Sequence, residues 1–333
     1  MSKIIFLSGR FRSGTSMLWN IFNQLPEYCA YYEPLHPNLI SHIQHVKPKE
    51  DHLDIDDYWR NYLHLTELKE HFSNRFGQQD IFLEKHEKWI ELEQYIRYLI
   101  TSAGDKTPVL QFNRMDLRLS WLKNTFPNAT IIHINRNVFP LWVSSRRHLN
   151  NNQDKKNESH PDAYDLMQWS ADLSLKFPML QTVKNRSSYY RHYFIWKLSQ
   201  LLAKSHADIH LNLEQDFIQS QSGVDILARK FGWNTDQQKT VKEIIQKPES
   251  LHSETKISKD CSEIEKSINK MFKKLGLDKF FPSSPLNEIK LEKTKAWNKY
   301  SYHADLNIQE LLDGMKYQKD ELTAFNNRIE SLK

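Results

Sequence analysis

The residues with the most distinct chemical pattern form a loop near the start of the chain, from Gly9 to Ser16. An apolar run precedes this loop and an apolar stretch with helical spacing follows it, so the pattern predicts a strand, a tight turn and a helix. Backbone N–H groups and the positive end of the helix dipole would then face a bound anion. We interpret the loop as an anion cradle; an ordinary glycine-containing turn is the simpler alternative.

The loop departs from the Walker A pattern at one informative position. Gly9, Gly14 and Ser16 match the template G-x-x-x-x-G-K-[ST]. Thr15, however, stands where the template has lysine. Because that lysine reaches the β- and γ-phosphates of a nucleoside triphosphate, its absence argues against an ATP- or GTP-dependent kinase or hydrolase. Positive charge is present instead at Arg12, which suits the terminal group of a shorter donor.

A second group of polar residues follows a later apolar run. Arg136 stands directly after the run from Ile131 to Asn135, and ligands of open α/β sheets bind beyond the carboxyl ends of the strands. Ser144 follows in a predicted helix, so a guanidinium fork and a hydroxyl could converge on one phosphate. The alternative is that Arg136 is simply a polar residue at the end of a strand.

These stretches together resemble the sulfotransferases that use 3′-phosphoadenosine 5′-phosphosulfate (PAPS). Arg10 to Ser16 is similar to the family's 5′-phosphosulfate loop, and Ile132 to Arg147 is similar to its 3′-phosphate motif. Tyr31 to Leu35 is similar to the glutamate-proline segment of the carbohydrate sulfotransferase branch. Ile209 to Phe217 is similar to a late strand that usually ends in Tyr-Glu-Asp-Leu, here interrupted by an apparent insertion. The resemblance fades beyond Pro248.

The resemblance implies roles for individual residues. The residues that would bind the 5′-phosphosulfate are Arg10, Arg12, Ser13, Gly14, Thr15 and Ser16. Arg136 and Ser144 would bind the 3′-phosphate, which distinguishes PAPS from ATP. Arg12 would also stabilise charge on the leaving oxygen, and Glu33 would act as the general base. The scheme requires no metal ion.

The role of Glu33 depends on strand order and on backbone shape. Glu33 follows the run Cys29 to Tyr32, which we expect to lie beside the strand Lys3 to Ser8, so that the carboxylate emerges near Arg12. Pro34 is expected to hold Glu33 in an extended conformation. The alternative is a carboxylate that only stabilises a turn. Further candidates for contacts with the acceptor are Asn113, Arg114 and His36.

The elements that must position these residues are predicted to form an α/β fold. Apolar runs alternate with helical patterns, which is typical of a buried, mostly parallel, P-loop-like sheet flanked by helices. The predicted strands are Lys3 to Ser8, Cys29 to Tyr32, Val109 to Phe112, Thr130 to Ile134 and Asp208 to Leu213. We expect residues 1–290 to form this domain. Residues 291–333 are predicted to form a loop and an amphipathic helix, with an apolar stripe from Ile308 to Ile329, that pack on it.

Composition restricts the class of protein further. The formal charge of +5, from 46 basic and 41 acidic residues, suits an anionic ligand and does not require nucleic acid. Cys29 and Cys261 have no neighbours at metal-ligand or redox spacing, which argues against a disulfide scaffold and fits a cytoplasmic protein. No apolar run approaches the roughly 20 residues that span a bilayer, and no signal peptide is expected.

The sequence thus predicts transfer of a sulfuryl group from PAPS to a hydroxyl of a small molecule or glycan, with a carbohydrate or glycolipid favoured by the branch resemblance. Two alternatives stay open. A nucleotide-dependent kinase with a degenerate P-loop would need a carboxylate for Mg²⁺ at a strand end. A nucleotide-binding relative without catalysis would bind the donor and show no turnover.

Overall fold

A computed structural model of the protein describes residues 4–45, 58–145, 163–181, 187–245, 257 and 259–277 and contains a five-stranded sheet. The strands are β1 (Ile5–Ser8), β2 (Tyr28–Tyr31), β3 (Thr107–Phe112), β4 (Thr130–Asn135) and β5 (Ile209–Asn212). They lie in the order β2-β3-β1-β4-β5, and every neighbouring pair is parallel. The predicted α/β fold with a parallel sheet is confirmed.

Helices connect the strands and continue after the last strand along the chain. The α-helices are α1 (Thr15–Asn23), α2 (Leu39–His45), α3 (Leu68–His71), α4 (Ile90–Ser102), α5 (Leu119–Thr125), α6 (Val138–Ser145), α7 (Leu166–Ser174), α8 (Ser188–His206), α9 (Ser222–Phe231), α10 (Thr235–Ile244) and α11 (Lys259–Leu275). Short 3₁₀ turns occur at Arg60–Tyr62, Asn74–Gly77, Ala163–Asp165 and Pro178–Gln181, and a π-helix spans Leu213–Gln219. None of the helices in the described part of the chain is both long and apolar enough to cross a membrane.

The central strand β1 is buried on both faces, which explains its continuous apolar sequence. The ring of Phe6 lies 5.8 Å from the ring of Phe112 on β3 and 5.4 Å from that of Phe126 after α5. These tilted and edge-on contacts are the arrangements that aromatic rings prefer. These ring contacts pack β1 against the end of β3 and against the segment after α5.

The prediction that β2 lies beside β1 was wrong. β3 lies between β1 and β2, because Ala30 of β2 is opposite Val109 of β3 while Ile5 of β1 is opposite the same residue on its other side. β2 is an edge strand, and side chains satisfy its backbone: the Ala30 carbonyl accepts hydrogen bonds from Trp19 Nε1 at 3.0 Å and Asn61 Nδ2 at 2.8 Å. An edge protected in this way does not need a further strand.

The chain connections place a crevice beside β1. After β1 the chain crosses through α1 towards the β2 side of the sheet, and after β4 it continues to β5 on the opposite side. Adjacent strands whose connections leave in opposite directions open a crevice at their carboxyl ends, where α/β proteins bind ligands. The loop Gly9 to Ser16 and Arg136 both lie at this end.

The described residues form two compact units. The first contains the sheet and comprises described residues between 4 and 144 and between 196 and 245. The second comprises those between 145 and 195 and between 257 and 277, and its interior includes Phe194, which packs on Phe177 at 5.8 Å and on Phe272 at 5.0 Å. The predicted boundary at residue 290 and the stripe from Ile308 to Ile329 lie outside the described residues.

We predict that Gly14→Ala lowers the free energy of unfolding more than Gly232→Ala does. Both glycines have positive φ, 96° and 74°, so alanine at either site costs about 1–2 kcal/mol in backbone strain. A Cβ atom at Gly14 would also lie 2.9 Å from Leu213 Cδ1, whereas one at Gly232 would meet no atom within 4 Å. Urea unfolding of both variants measures the difference; equal losses would mean that Leu213 moves aside without cost.

Candidate active site

The loop after β1 has the shape of an anion cradle. The backbone N–H and the hydroxyl of Ser13 both donate to the Arg10 carbonyl, at 3.1 and 2.7 Å, and close the turn. Gly14 precedes α1 with φ 96°, no side chain caps the helix there, and its first turn contains no acidic residue. The first N–H groups of a helix lack intrahelical partners, so this uncapped end can bind an anion.

The two predicted phosphate motifs meet at Arg12. Its Nε donates a hydrogen bond of 3.3 Å to Ser144 Oγ, and its carbonyl accepts one of 3.2 Å from Arg136 Nη1. Arg12 itself has a positive φ of 66°, an uncommon conformation for a residue with a side chain. The structure thus brings Arg12, Ser144 and Arg136 together, although Arg136 lies far from Arg12 in sequence.

Three arginines, each following a different strand, form close pairs with carboxylates at this edge of the sheet. In each pair the nearest nitrogen and oxygen are 3.4 Å apart, and the side chains are at most 13% exposed. The pairs are Arg10–Asp116, Arg114–Glu33 and Arg136–Glu214. Since loss of one partner leaves an uncompensated buried charge, the two members of each pair are structurally interdependent.

The sequence pattern did not identify two of these carboxylates, Asp116 and Glu214, as part of the site. Asp116 faces Arg10, so the Arg10 side chain points into a buried ion pair, and its role in binding the donor stays a prediction. Glu214 also accepts the backbone N–H of Asn137 at 3.2 Å. It belongs to the π-helix Leu213–Gln219, and the wider turn of a π-helix accommodates an extra residue. The interruption of the Tyr-Glu-Asp-Leu-like segment was the sequence signal for this feature.

Glu33 lies after β2 among residues from the end of β3. Its Oε1 accepts a hydrogen bond of 2.5 Å from Asn113 Nδ2, and its Oε2 lies 3.4 Å from Arg114 Nη1. Burial raises the pKa of the Glu33 carboxyl above its usual value, although Arg114 and Asn113 act in the opposite direction. A carboxylate with a raised pKa is a better proton acceptor.

The predicted extended conformation of Glu33 was wrong, because its φ is 40°. Polar contacts hold the backbone in this uncommon conformation. The Glu33 N–H donates to Gln111 Oε1 at 3.1 Å, and its carbonyl accepts the His36 N–H at 2.9 Å. The neighbouring carbonyls of Tyr32 and Pro34 accept the hydroxyls of Tyr62 and Tyr95. Tertiary contacts therefore override the local preference of a residue before proline.

Two hydrogen bonds connect α1 to the segments after β2 and β3. Thr15 Oγ1 donates to Asn113 Oδ1 at 2.7 Å, and Ser16 Oγ lies 2.9 Å from Tyr32 Oη. Asn113 in turn contacts Glu33. The cradle and the predicted base are thus joined, and the structure gives Asn113 and Tyr32 a larger part than the sequence pattern did.

His36 is close to Glu33 in the chain but differs from it in electrostatics. Burial, with smaller contributions from Arg114 and His42, lowers the pKa of His36 to about 2. Its Nδ1 accepts the Asn38 N–H at 3.1 Å. A histidine with so low a pKa is neutral at pH 7 and a weak proton acceptor.

The fold and the site define an α/β protein with a parallel sheet and a tight strand-to-helix loop at the carboxyl edge of that sheet. The chain belongs to the sulfotransferase family, whose sequence pattern matches residues 5–186, more than half of its 333 residues.

A relative from Archaeoglobus fulgidus, itself an uncharacterized protein, is 28% identical over 156 residues. The aligned part is 43% of this chain and 47% of the relative, so the match spans about half of that protein's length. No solved structure matches the chain. Among the residues that the structure describes, no group of three or more histidine, cysteine, aspartate or glutamate side chains is arranged to hold a metal ion.

We predict that Glu33 makes the stability of the protein pH-dependent in a direction opposite to that of an ordinary carboxylate. Because its folded-state pKa is raised, its contribution to stability is fully present below its unfolded pKa and is lost as pH rises through the folded pKa. Relative to Glu33→Gln, the wild type should therefore lose unfolding free energy with increasing pH. The loss is about 1.4 kcal/mol for each tenfold difference between the two acid dissociation constants.

Urea unfolding of the two proteins between pH 4 and pH 8 measures this difference. Glutamine does not titrate, so the loss of the pairing with Arg114 lowers the unfolding free energy of Glu33→Gln by the same amount at every pH. Only the pH-dependent part of the difference between the two proteins therefore reports the titration of the Glu33 carboxyl. Glu70→Gln, at an exposed position of α3, is the matched control for the removal of one carboxylate. A wild type that gained stability over Glu33→Gln with rising pH would contradict the raised pKa.

Proposed function

We propose that this sulfotransferase transfers a sulfuryl group from PAPS to a hydroxyl of a carbohydrate or glycolipid. The observation that carries the proposal is the convergence of two phosphate motifs: Arg12 in the 5′ loop bonds to Ser144 and, through its carbonyl, to Arg136. A donor with phosphate groups at both its 5′ and 3′ positions suits two adjacent anion sites. ATP has no 3′-phosphate and would leave the second site without a ligand.

The residues present fit such a donor. The uncapped N-terminus of α1 offers backbone N–H groups, Arg12 and Arg136 add positive charge, and Ser144 adds a hydroxyl. The carboxylates of Glu33, Asp116 and Glu214 each face an arginine, which makes them poor ligands for the Mg²⁺ that a kinase requires. This arrangement favours PAPS over a nucleoside triphosphate.

The residues of the chain would act mainly by positioning and electrostatics. PAPS, when bound, supplies a sulfuryl group on a good leaving group. The N–H groups of α1 and the side chain of Arg12 would orient its 5′ end and stabilise charge on the leaving oxygen. Arg136 and Ser144 would hold the 3′-phosphate. Glu33, oriented by Asn113 and Arg114, would accept the proton of the acceptor hydroxyl.

The acceptor class rests on a different observation. Tyr31 to Leu35 is similar to the segment that carries a glutamate-proline pair in the carbohydrate branch, and Glu33 of this segment lies in the site. The cytoplasmic location rests only on the scarcity of cysteine. Both stay proposals.

A thermal-shift experiment tests the donor. We predict that 3′-phosphoadenosine 5′-phosphate raises the melting temperature without added metal, because a ligand at 100 times its Kd stabilises the folded state by about 2.7 kcal/mol. Adenosine 5′-phosphosulfate, which lacks the 3′-phosphate, should act more weakly at equal concentration. ATP with Mg²⁺ should act least, and stabilisation by Mg-ATP equal to that by the bisphosphate would overturn the proposed donor.

Glu33→Gln tests the base. The substitution keeps the shape of the side chain and removes the proton acceptor, so we predict a turnover about 10²- to 10⁴-fold lower. Affinity for 3′-phosphoadenosine 5′-phosphate should change little, because Glu33 is not part of the cradle. His36→Gln is the comparison. If Glu33→Gln kept full turnover and His36→Gln lost it, the histidine would be the base.

A further inference from the structure

A continuous chain of hydrogen bonds links the cradle to Glu33. Thr15 Oγ1 donates to Asn113 Oδ1 at 2.7 Å, and Gln111 Nε2 donates to the same oxygen at 3.1 Å. Asn113 Nδ2 then donates to Glu33 Oε1 at 2.5 Å, while Gln111 Oε1 accepts the Glu33 N–H at 3.1 Å. Thr15, Gln111 and Asn113 are at most 5% exposed, so water cannot readily replace these partners.

Glu33 determines the direction of every bond in this chain. An ionised carboxylate only accepts hydrogen bonds, so Asn113 must direct its NH₂ group to Glu33 and its carbonyl oxygen to Thr15. The Thr15 hydroxyl must therefore donate to Asn113. Its proton is committed there, and Thr15 can offer a bound donor its backbone N–H but not its hydroxyl proton. The residue at the Walker lysine position is thus directed towards the predicted base.

Strand order explains why Asn113 occupies this place. Glu33 follows β2 and Thr15 follows β1, and these two strands are separated by β3. A side chain at the carboxyl end of β3 can reach both neighbours, and Asn113 is the residue directly after that strand.

We propose that Asn113 is a positioning residue that couples the donor cradle to Glu33. The Thr15 hydroxyl bonds Asn113 Oδ1 and holds the amide in position, and the amide holds the Glu33 carboxylate towards the acceptor. The proposal deepens the proposed function, since it takes Glu33 as the base. It also makes a separate claim, namely that the Thr15 hydroxyl serves the base and not the donor.

Thr15→Val tests this claim, because it removes the hydroxyl and keeps the branched shape, while Asn113 Oδ1 retains its bond from Gln111. We expect kcat to fall by about 10- to 100-fold through misorientation, with the affinity for 3′-phosphoadenosine 5′-phosphate unchanged. Thr15→Ser restores the hydroxyl and should recover most of the lost kcat. A weaker affinity for the bisphosphate with an unchanged kcat would show that the hydroxyl binds the donor and would overturn the proposal.

A double-mutant cycle tests the coupling without any measurement of turnover. Thr15→Val and Glu33→Gln should have non-additive effects on unfolding free energy, although the two side chains meet only through Asn113. The control cycle pairs Glu33→Gln with Ser13→Ala, since the Ser13 hydroxyl is equally buried but bonds to the Arg10 carbonyl. Additive effects in both cycles would overturn the coupling. If the wild type showed no sulfotransfer while the effects of Thr15→Val and Glu33→Gln were non-additive, only the proposed reaction would be refuted.

Discussion

The carboxyl edge of the sheet depends on three buried arginine–carboxylate pairs. Arginine follows β1, β3 and β4, and each guanidinium lies 3.4 Å from a carboxylate that another part of the chain supplies. A buried charge without its partner is strongly destabilising. The segments that carry Glu33 and Glu214 must therefore fold back to this edge, and the loops around the site take their shape from that requirement.

The same pairs determine how much net positive charge is available to a bound anion. Arg136 faces Glu214 in addition to the cradle, so an anion beside Arg136 would share its guanidinium with a carboxylate. Such an arrangement keeps the site stable before the ligand arrives, because the positive charge is already balanced. Recognition then relies more on directed donors, namely the N–H groups of α1 and the hydroxyl of Ser144, than on excess charge.

Two of the five non-glycine residues with positive φ in the described part of the chain lie where the predicted chemistry lies. Arg12 and Glu33 both have positive φ values, 66° and 40°, and such conformations persist only where surrounding contacts hold them. Arg136 holds the Arg12 carbonyl, and Gln111 and His36 hold the backbone of Glu33. Hydrogen bonds therefore hold the backbone of the cradle and of the predicted base without any ligand, an arrangement that suits catalysis by positioning.

The sequence by itself determined the five strands, the position of the loop Gly9 to Ser16 between a strand and a helix, and the position of Arg136 after a strand, because each depends on the pattern of adjacent residues. Only the tertiary structure decided that β3 separates β1 from β2, that Glu33 has a positive φ, and that Asn113 joins Thr15 to Glu33. The reason is physical: strand order, buried ion pairs and hydrogen-bond partners are contacts between distant segments. The spacing of residues along the chain does not show which distant side chain will pair with a buried charge.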